Sequence, residues 1–406
     1  MGSMMHIAML LLAAGYLFAQ DVTFHRDVQP ILQARCQECH RPGQMAPMAL
    51  TTYSEARPWA KAIREAVVTR RMPPWFADPC CGKFEHDRRL SDTEIRTLAA
   101  WAETGAVEGR AADAPAGRVW TEGWNLPRVD EVVGMAEPFR VPAKEAVQYQ
   151  YLVIAGGFAE DKWVRGVEVR PTDRGVVHHA VVYVRKAGDT WTRGPTTADI
   201  LTVYAPGGAP DVFREDMAKL IPAGADLVLE VHYTPKGVET QDRIEVGLMY
   251  APERPAKRVI TLQMASTDFM IPAGAKEHRV AVWGTLPNDA LLIGFFPHMH
   301  LRGKSFEYTL VKEGGADKPA EVETLLKAAP YDFYWQLSYR LAEPRLLKKG
   351  TRLNWIATYD NSAGNEKNPD PGATVRYGFQ SWDEMMVGFF DVAVDAAIDK
   401  ETYFVR

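Results

Sequence analysis

Residues 291–304 have the sequence LLIGFFPHMHLRGK, and this stretch decides how the C-terminal half of the chain is interpreted. An apolar run at 291–296 precedes two histidines, and a second strand-like run follows at 305–310. Side chains two residues apart in a strand point to the same face, so His298 and His300 can present two imidazoles to one point. The pair therefore predicts a metal site; the alternative is two surface histidines at the end of a strand.

Strand-like segments recur on both sides of this stretch, with Gly, Pro and Asp between them. Short strands at such spacing predict antiparallel β-sandwiches. The β-rich part is long for one sandwich, so we expect two, at residues 126–273 and 274–406. The predicted strands are 151–155, 163–169, 180–184, 227–231 and 244–249 in the first, and 279–282, 291–296, 306–311, 352–359 and 387–393 in the second.

The composition of the 406-residue chain is that of an ordinary folded protein, with 47% hydrophobic and 24% charged residues. A formal net charge of −5 argues against nucleic acid as a partner. All four cysteines lie at or before position 81, so the β-rich part contains no disulfide and must be stabilised by packed cores.

Residues 1–20 have the pattern of a signal peptide. The apolar run at 7–15 is too short to cross a bilayer, and Ala19 offers a small residue for cleavage. We therefore expect a periplasmic or secreted protein with no transmembrane segment; the alternative is a disordered N-terminal tail.

Residues 21–108 are expected to form a small all-α domain. Apolar side chains recur three to four apart within 54–70, and Ser91 with Glu94 has the pattern of a capping box that opens a helix. The following segment, 109–125, begins with small and polar residues and predicts a linker.

The sequence CQECH at 36–40 is the attachment sequence of a c-type haem. Thiols of Cys36 and Cys39 at this spacing can form thioethers with the two haem vinyl groups, and His40 can then reach the iron as an axial ligand. A CxxC redox pair or a zinc site is the alternative. With this motif, the helical domain resembles the small cytochrome c modules fused to bacterial periplasmic enzymes.

A methionine is the expected second axial ligand, and Met72 is our candidate. It lies in the sequence RMPPW at 71–75, where two prolines fix the backbone after a helix. Met45 and Met48 are alternatives, although both lie close to His40 along the chain. Any of the three can instead pack against the porphyrin.

Three more histidines fall in predicted strands. His178 and His179 are adjacent in one apolar strand, and His232 lies in another. Neighbours on a regular strand face opposite ways, so joint ligation by the first two needs a bulge or bend. The three imidazoles together would suit copper, and zinc about equally well. The alternative is one core histidine and one exposed histidine.

A thioether is available to His298 and His300 from the sequence SWDEMMVGFF at 381–390. Met385 or Met386 beside two imidazoles would favour copper over zinc. The alternative is that these methionines fill the core.

The order of these motifs resembles the copper type II, ascorbate-dependent monooxygenases, the peptidylglycine α-hydroxylating and dopamine β-monooxygenase family. The resemblance covers about residues 125–406. It depends on the adjacent histidines, the His-Tyr at 232–233, HMHLRGK at 298–304 and DEM at 383–385. It implies two jelly-roll domains that each hold one copper, across a solvent-filled cleft.

The resemblance also implies a role for each ligand set. The three-histidine set would hold the copper that stores and passes an electron. The set of His298, His300 and Met385 would hold the copper that binds O2 and hydroxylates a C–H bond.

Two positions depart from the peptide-amidating members of that family. Phe296 stands where they have an arginine two residues before the His-x-His, and Phe389 where they have a tyrosine four residues after the methionine ligand. We therefore expect an apolar or aromatic substrate rather than glycine-extended peptides. Ordinary core packing of both rings is the alternative.

The predicted fold class is a small all-α cytochrome c-like domain followed by two all-β jelly-roll sandwiches. The predicted function is a dicopper monooxygenase acting with O2 on a small organic substrate. An external donor, ascorbate or a redox protein, would deliver electrons through the fused haem. The alternative is a non-catalytic periplasmic protein that transfers electrons or handles copper. A zinc hydrolase is disfavoured because no Glu or Asp stands out as a positioned base.

Overall fold

The computed structural model describes residues 22–121, 123–191, 199–312 and 320–399. The predicted signal peptide lies outside these residues. The chain divides into two compact units, of which the first comprises residues up to 42, 47–73 and 89–118, and the second comprises 43–46, 74–88 and the chain from 119 onwards. None of the helices in these ranges is long and apolar enough to cross a membrane.

The helices of the first unit are short. They are α1 (Gln29–Arg35), α2 (Tyr53–Ala56), α3 (Ala60–Val68) and α4 (Asp92–Glu103), with a π-helical turn at Phe24–Val28 and 3-10 turns at Arg57–Trp59 and Ala111–Asp113. The capping box of α4 forms as expected, because the Ser91 hydroxyl accepts the N–H of Glu94 and the Glu94 carboxylate accepts the N–H of Ser91. The helix expected over 54–70 is interrupted by a 3-10 turn, where Pro58 has no N–H to donate.

The predicted fold class is wrong. The described chain is mostly β-sheet, its longest α-helix has 12 residues, and residues 36–52 between α1 and α2 are turns and bends. Pro42, Gly43 and Pro47 disfavour helix formation in this segment. The helices bury a small core that includes Phe24 and Trp101, but they do not amount to an all-α cytochrome c-like domain.

The second unit is built from 21 strands in the described residues. Those before residue 255 are β1 (Glu131–Gly134), β2 (Phe139–Val141), β3 (Gln150–Ile154), β4 (Lys162–Pro171), β5 (Val177–Arg185), β6 (Asp199–Tyr204), β7 (Asp211–Val212), β8 (Met217–Ile221), β9 (Asp226–Tyr233), β10 (Thr240–Asp242) and β11 (Ile244–Tyr250). The later ones are β12 (Lys257–Ser266), β13 (Met270–Ile271), β14 (His278–Thr285), β15 (Ala290–His298), β16 (Gly303–Lys312), β17 (Glu321–Ala328), β18 (Tyr339–Leu347), β19 (Arg352–Tyr359), β20 (Val375–Arg376) and β21 (Met386–Asp395).

One long sheet connects two sandwiches. Its strand order is β1-β11-β4-β8-β12-β21-β15-β18, with β7 also paired to β4. The four-stranded sheet β3-β9-β5-β6 packs against the first half, where Val167 and Leu229 are fully buried in one core. The sheet β14-β19-β16-β17 packs against the second half, where Trp355 and Phe390 share another core. Parallel pairing of β8 with β12 joins the halves, so the sandwiches are linked by backbone hydrogen bonds.

Cys80 and Cys81, which the sequence leaves open as a disulfide or free thiols, form a disulfide.

Candidate metal centre

The two adjacent histidines of β5 can serve one site because the strand is bulged between them. β5 pairs with β9, and the register shifts between Val177 and His179, which leaves His178 as the extra residue. His179 lies directly opposite His232. A bulge re-aims a side chain that would otherwise face the opposite side of the sheet. The structure thus brings the three histidines together in the way that joint ligation requires.

The three rings form a compact nitrogen cluster. One nitrogen from each of His178, His179 and His232 lies within 4.8 Å of the other two, and the two Nδ1 atoms of the adjacent pair are 2.9 Å apart. Nε2 of His178 and Nδ1 of His232 are buried and have no hydrogen-bond partner among the described residues. Because a buried polar atom without a partner is costly, this cluster fits a bound metal ion, and its donor set suits copper.

Burial keeps all three imidazoles neutral near pH 7. It lowers the pKa of His178 to about 3 and the pKa of His232 to about 4, and repulsion by His232 adds to the effect at His178. The pKa of His179 lies well below its usual value for the same reason, with the neighbouring histidines contributing. Neutral imidazole is the form that coordinates a metal ion.

The rings of His298 and His300 are oriented by hydrogen bonds at Nδ1. Nδ1 of His298 lies 2.7 Å from Gln336 Oε1, and Nδ1 of His300 lies 3.3 Å from the carbonyl oxygen of Asp383. Both partner oxygens can only accept, so each Nδ1 carries the proton and each Nε2 keeps its lone pair. Such outer hydrogen bonds are typical of metal-ligating histidines.

Met385 lies in the same cavity wall as these two histidines and is 8% exposed. Its carbonyl oxygen accepts a hydrogen bond of 2.7 Å from the hydroxyl of Tyr359. Met386, the alternative thioether, is fully buried in the core of the second sandwich. The geometry therefore favours Met385 beside the two imidazoles.

Glu384 fastens the histidine turn to the segment that carries Met385. One carboxylate oxygen accepts the N–H of His300 at 2.9 Å, and the other accepts the N–H of Arg302 at 2.6 Å. The side chain is fully buried, and this burial raises its pKa to about 8 although both hydrogen bonds and the Arg302 guanidinium act to lower it. Arg302 is itself buried and donates to the Asn361 side chain. Glu384 thus helps to position two candidate ligands, His300 and Met385.

Phe333 lies between the two ligand sets. Its ring centroid is 5.4 Å from that of His178, 5.9 Å from that of His232 and 6.0 Å from that of His300. The side chain is only 3% exposed. A packed aromatic ring therefore separates these histidines, where the resemblance implies a solvent-filled cleft.

A cavity lies beside both sets. His179 lines it from the first sandwich, and His298, His300 and Met385 line it from the second. The other lining residues are mostly aromatic: Tyr149, Tyr151, Tyr183, Phe296, Phe379 and Phe389.

The haem motif lies in the first unit. Cys36 and Cys39 are not joined by a disulfide, and burial raises the pKa of the Cys36 thiol to about 12. Nδ1 of His40 donates to the carbonyl oxygen of Met48 at 3.2 Å, which leaves Nε2 available to an iron atom. Met72 follows α3 as expected, and its N–H donates to the carbonyl oxygen of Ala66 at 3.2 Å.

Residues 257–391 match the family model described as "Copper type II ascorbate-dependent monooxygenase, C-terminal domain". The matched segment contains His298, His300 and Met385, and it supports the family that the motifs resemble. The match supports a copper monooxygenase type of function in general, with O2 and an ascorbate-type donor. It does not reach the haem motif.

No curated protein matches the chain. Solved structures with some likeness include a putative alpha-L-fucosidase from Bacteroides ovatus, at 9% identity and a TM-score of 0.21 over 74% of this chain and 44% of that one. The infectious bursal disease virus Gx strain is another, at 9% identity and a TM-score of 0.21 over 70% of this chain and 77% of that one. The chain thus spans less than half of the fucosidase's length.

Proposed function

We propose that this chain is a dicopper monooxygenase that hydroxylates a C–H bond of a small organic substrate with O2. The observation that supports this most is the convergence of two ligand sets on one aromatic-lined cavity. The first set consists of three imidazoles, and the second of two imidazoles and a thioether. A thioether favours Cu(I), so the two sets differ in the way that two distinct copper ions would require.

The overall reaction consumes two electrons: RH + O2 + 2 e⁻ + 2 H⁺ gives ROH and H2O. Copper held by the two sets would supply one-electron transfer and the activation of O2. The chain's own residues bind, orient and exclude water. Gln336 and the Asp383 carbonyl hold the Nδ1 protons in place, so that both Nε2 lone pairs face the ligand side.

The apolar walls of the cavity would bind the substrate. Phe296 and Phe389 lie 5.7 Å apart between ring centroids, and both line the cavity that also contains His298 and Met385. Their positions support an apolar or aromatic substrate, as the two departures from the peptide-amidating enzymes suggest. Phe333, whose ring lies near His178 and His300, would exclude water from the space between the ligand sets.

We also propose that the 36–40 motif attaches a c-type haem that passes electrons from an external donor, and that the protein is exported to the periplasm. The thiols of Cys36 and Cys39 would hold the haem, and Nε2 of His40 would bind its iron, with Met72 as the candidate for the second iron ligand. An alkaline pyridine haemochrome spectrum of the purified protein tests this. A Cys36→Ser/Cys39→Ser variant should lose covalently bound haem, and a wild-type protein without covalent haem would contradict the proposal.

The hydroxylase proposal is tested by measuring O2 uptake and product with the reduced, copper-loaded protein and a panel of ethyl-substituted benzenes. Wild type should form hydroxylated product in proportion to the O2 consumed. Met385→Ala should abolish product formation, whereas the matched variant Met270→Ala, at a partly exposed site outside the cavity, should not. Electron transfer without any hydroxylated product would favour the non-catalytic redox protein instead.

A further inference from the structure

Glu230 belongs to neither ligand set, yet its side chain faces the cavity beside them. It lies on β9 two residues before His232, so the two side chains point to the same face of the strand. The neighbouring strands place Val181 of β5 and Tyr151 of β3 opposite it. Glu230 lines the same cavity as the second ligand set.

In the part of the chain that the structure describes, the carboxylate of Glu230 accepts hydrogen bonds from two neutral groups. The hydroxyl of Tyr183 donates to Oε2 at 3.5 Å, and the hydroxyl of Tyr151 also donates a hydrogen bond to the carboxylate. Among the described residues that line this cavity, none is a lysine or an arginine. One acidic group thus faces an otherwise neutral, aromatic space.

This arrangement determines which ligand would be bound well. A carboxylate can only accept hydrogen bonds, and it is costly to remove from water unless donors or a cation compensate. The surrounding aromatic rings add no full charge, but their faces attract a cation. A ligand that brings an N–H or O–H donor would compensate Glu230, whereas a ligand carboxylate would be repelled by it.

We propose that Glu230 is the specificity-determining residue of this cavity, and that it accepts a hydrogen bond from an N–H or O–H group on an otherwise aromatic or apolar substrate. The inference rests on the proposed function for the reaction itself, and it adds the polar group by which the substrate is recognised. The polar end of the substrate would lie toward β9 of the first sandwich, and its apolar part toward Phe296 and Met385 of the second.

The test uses the metal-free full chain and four para-substituted toluenes in calorimetric titrations at about pH 8.5, where Glu230 is ionised although burial raises its pKa to about 7. The probes are p-cresol (a neutral donor), 4-methylbenzylamine (a cationic donor), 4-methylanisole (no donor) and 4-methylbenzoate (an anion). At least one donor probe should bind about 10-fold or more tightly than 4-methylanisole and 4-methylbenzoate, as expected for a hydrogen bond to a carboxylate. Comparison of p-cresol with 4-methylbenzylamine shows whether the donor is neutral or charged.

Two variants locate the effect. Glu230→Gln keeps the side-chain volume and should remove most of the preference for donors, whereas Glu160→Gln, at an exposed carboxylate that bonds Lys162, should keep it. Tyr183→Phe leaves the carboxylate less satisfied, so donor affinity should be retained or should rise. The proposal is overturned if wild type shows no donor preference, including no donor binding, or if the preference survives in Glu230→Gln or is lost in Tyr183→Phe.

Because these titrations need no copper, they separate the two proposals. Donor preference without hydroxylation would contradict the monooxygenase proposal and leave Glu230 as a ligand-recognition residue. Hydroxylation without donor preference would contradict the role of Glu230 alone.

Discussion

Replacing Glu384 by Gln should weaken the second ligand set and leave the first intact. The two oxygens of Glu384 accept the N–H groups of His300 and Arg302 at 2.9 and 2.6 Å, in a fully buried position. Gln has nearly the same shape but only one accepting oxygen. Its amide NH2 would therefore face a backbone N–H, and a donor would meet a donor.

The expected fall in the free energy of unfolding follows from the hydrogen bond that Glu384→Gln removes. A hydrogen bond contributes about 0.5–1.5 kcal/mol, and leaving a buried donor unpaired costs about 1–3 kcal/mol. The free energy of unfolding should thus fall by about 2–4 kcal/mol. Because the same contacts hold the turn of His300 beside Met385, the affinity of the second set for copper should fall about 10–100-fold. The histidines of the first set lie on β5 and β9 and should bind as before.

Urea denaturation of the metal-free protein measures the first effect, and competition titration of Cu(I) against a chromogenic chelator measures the second. The matched control is Glu277→Gln, at an exposed carboxylate that accepts a hydrogen bond from Lys304, and it should leave the stability unchanged. If Glu384→Gln binds two Cu(I) ions with wild-type affinities, Glu384 does not position the ligands and the reasoning fails.

Three further substitutions probe the surroundings of the ligands. Gln336→Leu removes the acceptor for the Nδ1 proton of His298 and should weaken the second set about 10–100-fold in the same titration; unchanged affinity would mean that the ring is oriented by other contacts. Phe333→Ala removes a buried ring, so the free energy of unfolding should fall by about 3–5 kcal/mol, and peroxide release during O2 uptake should rise as water enters. Phe333→Leu should restore most of the stability. Wild-type values in both variants would refute the packing argument. Tyr149→Phe should not destabilise the fold, because that hydroxyl is buried without a partner in the described chain while the ring stacks on His232 at a centroid distance of 4.7 Å. If urea denaturation shows that the free energy of unfolding falls by more than about 2 kcal/mol, the hydroxyl is hydrogen-bonded.

The strands were predictable because their signal is local. The segment 352–359 alternates apolar and polar side chains and forms β19 with the same bounds. The pairing of strands is not local, and the sequence gives no sign that β8 lies beside β12 to join the two sandwiches. Two separate sandwiches were therefore expected where one sheet is shared.

The all-α expectation failed for a related reason. Helical periodicity and a capping box report on one turn or a few turns of chain, and short helices such as α3 and α4 satisfy both. Neither signal measures how much irregular chain lies between helices. Here residues 36–52, which include Pro42, Gly43 and Pro47, form turns and bends, so the short helices do not extend into the expected domain.

The candidate metal ligands could be named from their residue types and spacing, whereas the groups that orient them could not. Gln336 lies 38 residues from the histidine it contacts, and Phe333 has no motif around it, so only the folded chain shows their positions. Glu384 had a partial signal, because it stands next to Met385 in the DEM sequence. Glu230 stands two residues before His232 on one strand face, a spacing that would have placed it near the site.

The dicopper proposal requires that two separate ligand sets each hold one copper beside a single cavity. Copper analysis and Cu(II) electron paramagnetic resonance of wild type and of a His298→Ala/His300→Ala variant test this requirement. We expect two coppers per chain in wild type, and one copper with a nitrogen-rich spectrum from the His178, His179 and His232 set in the variant. One copper or none in wild type, or loss of both coppers in a variant that remains folded, would contradict it.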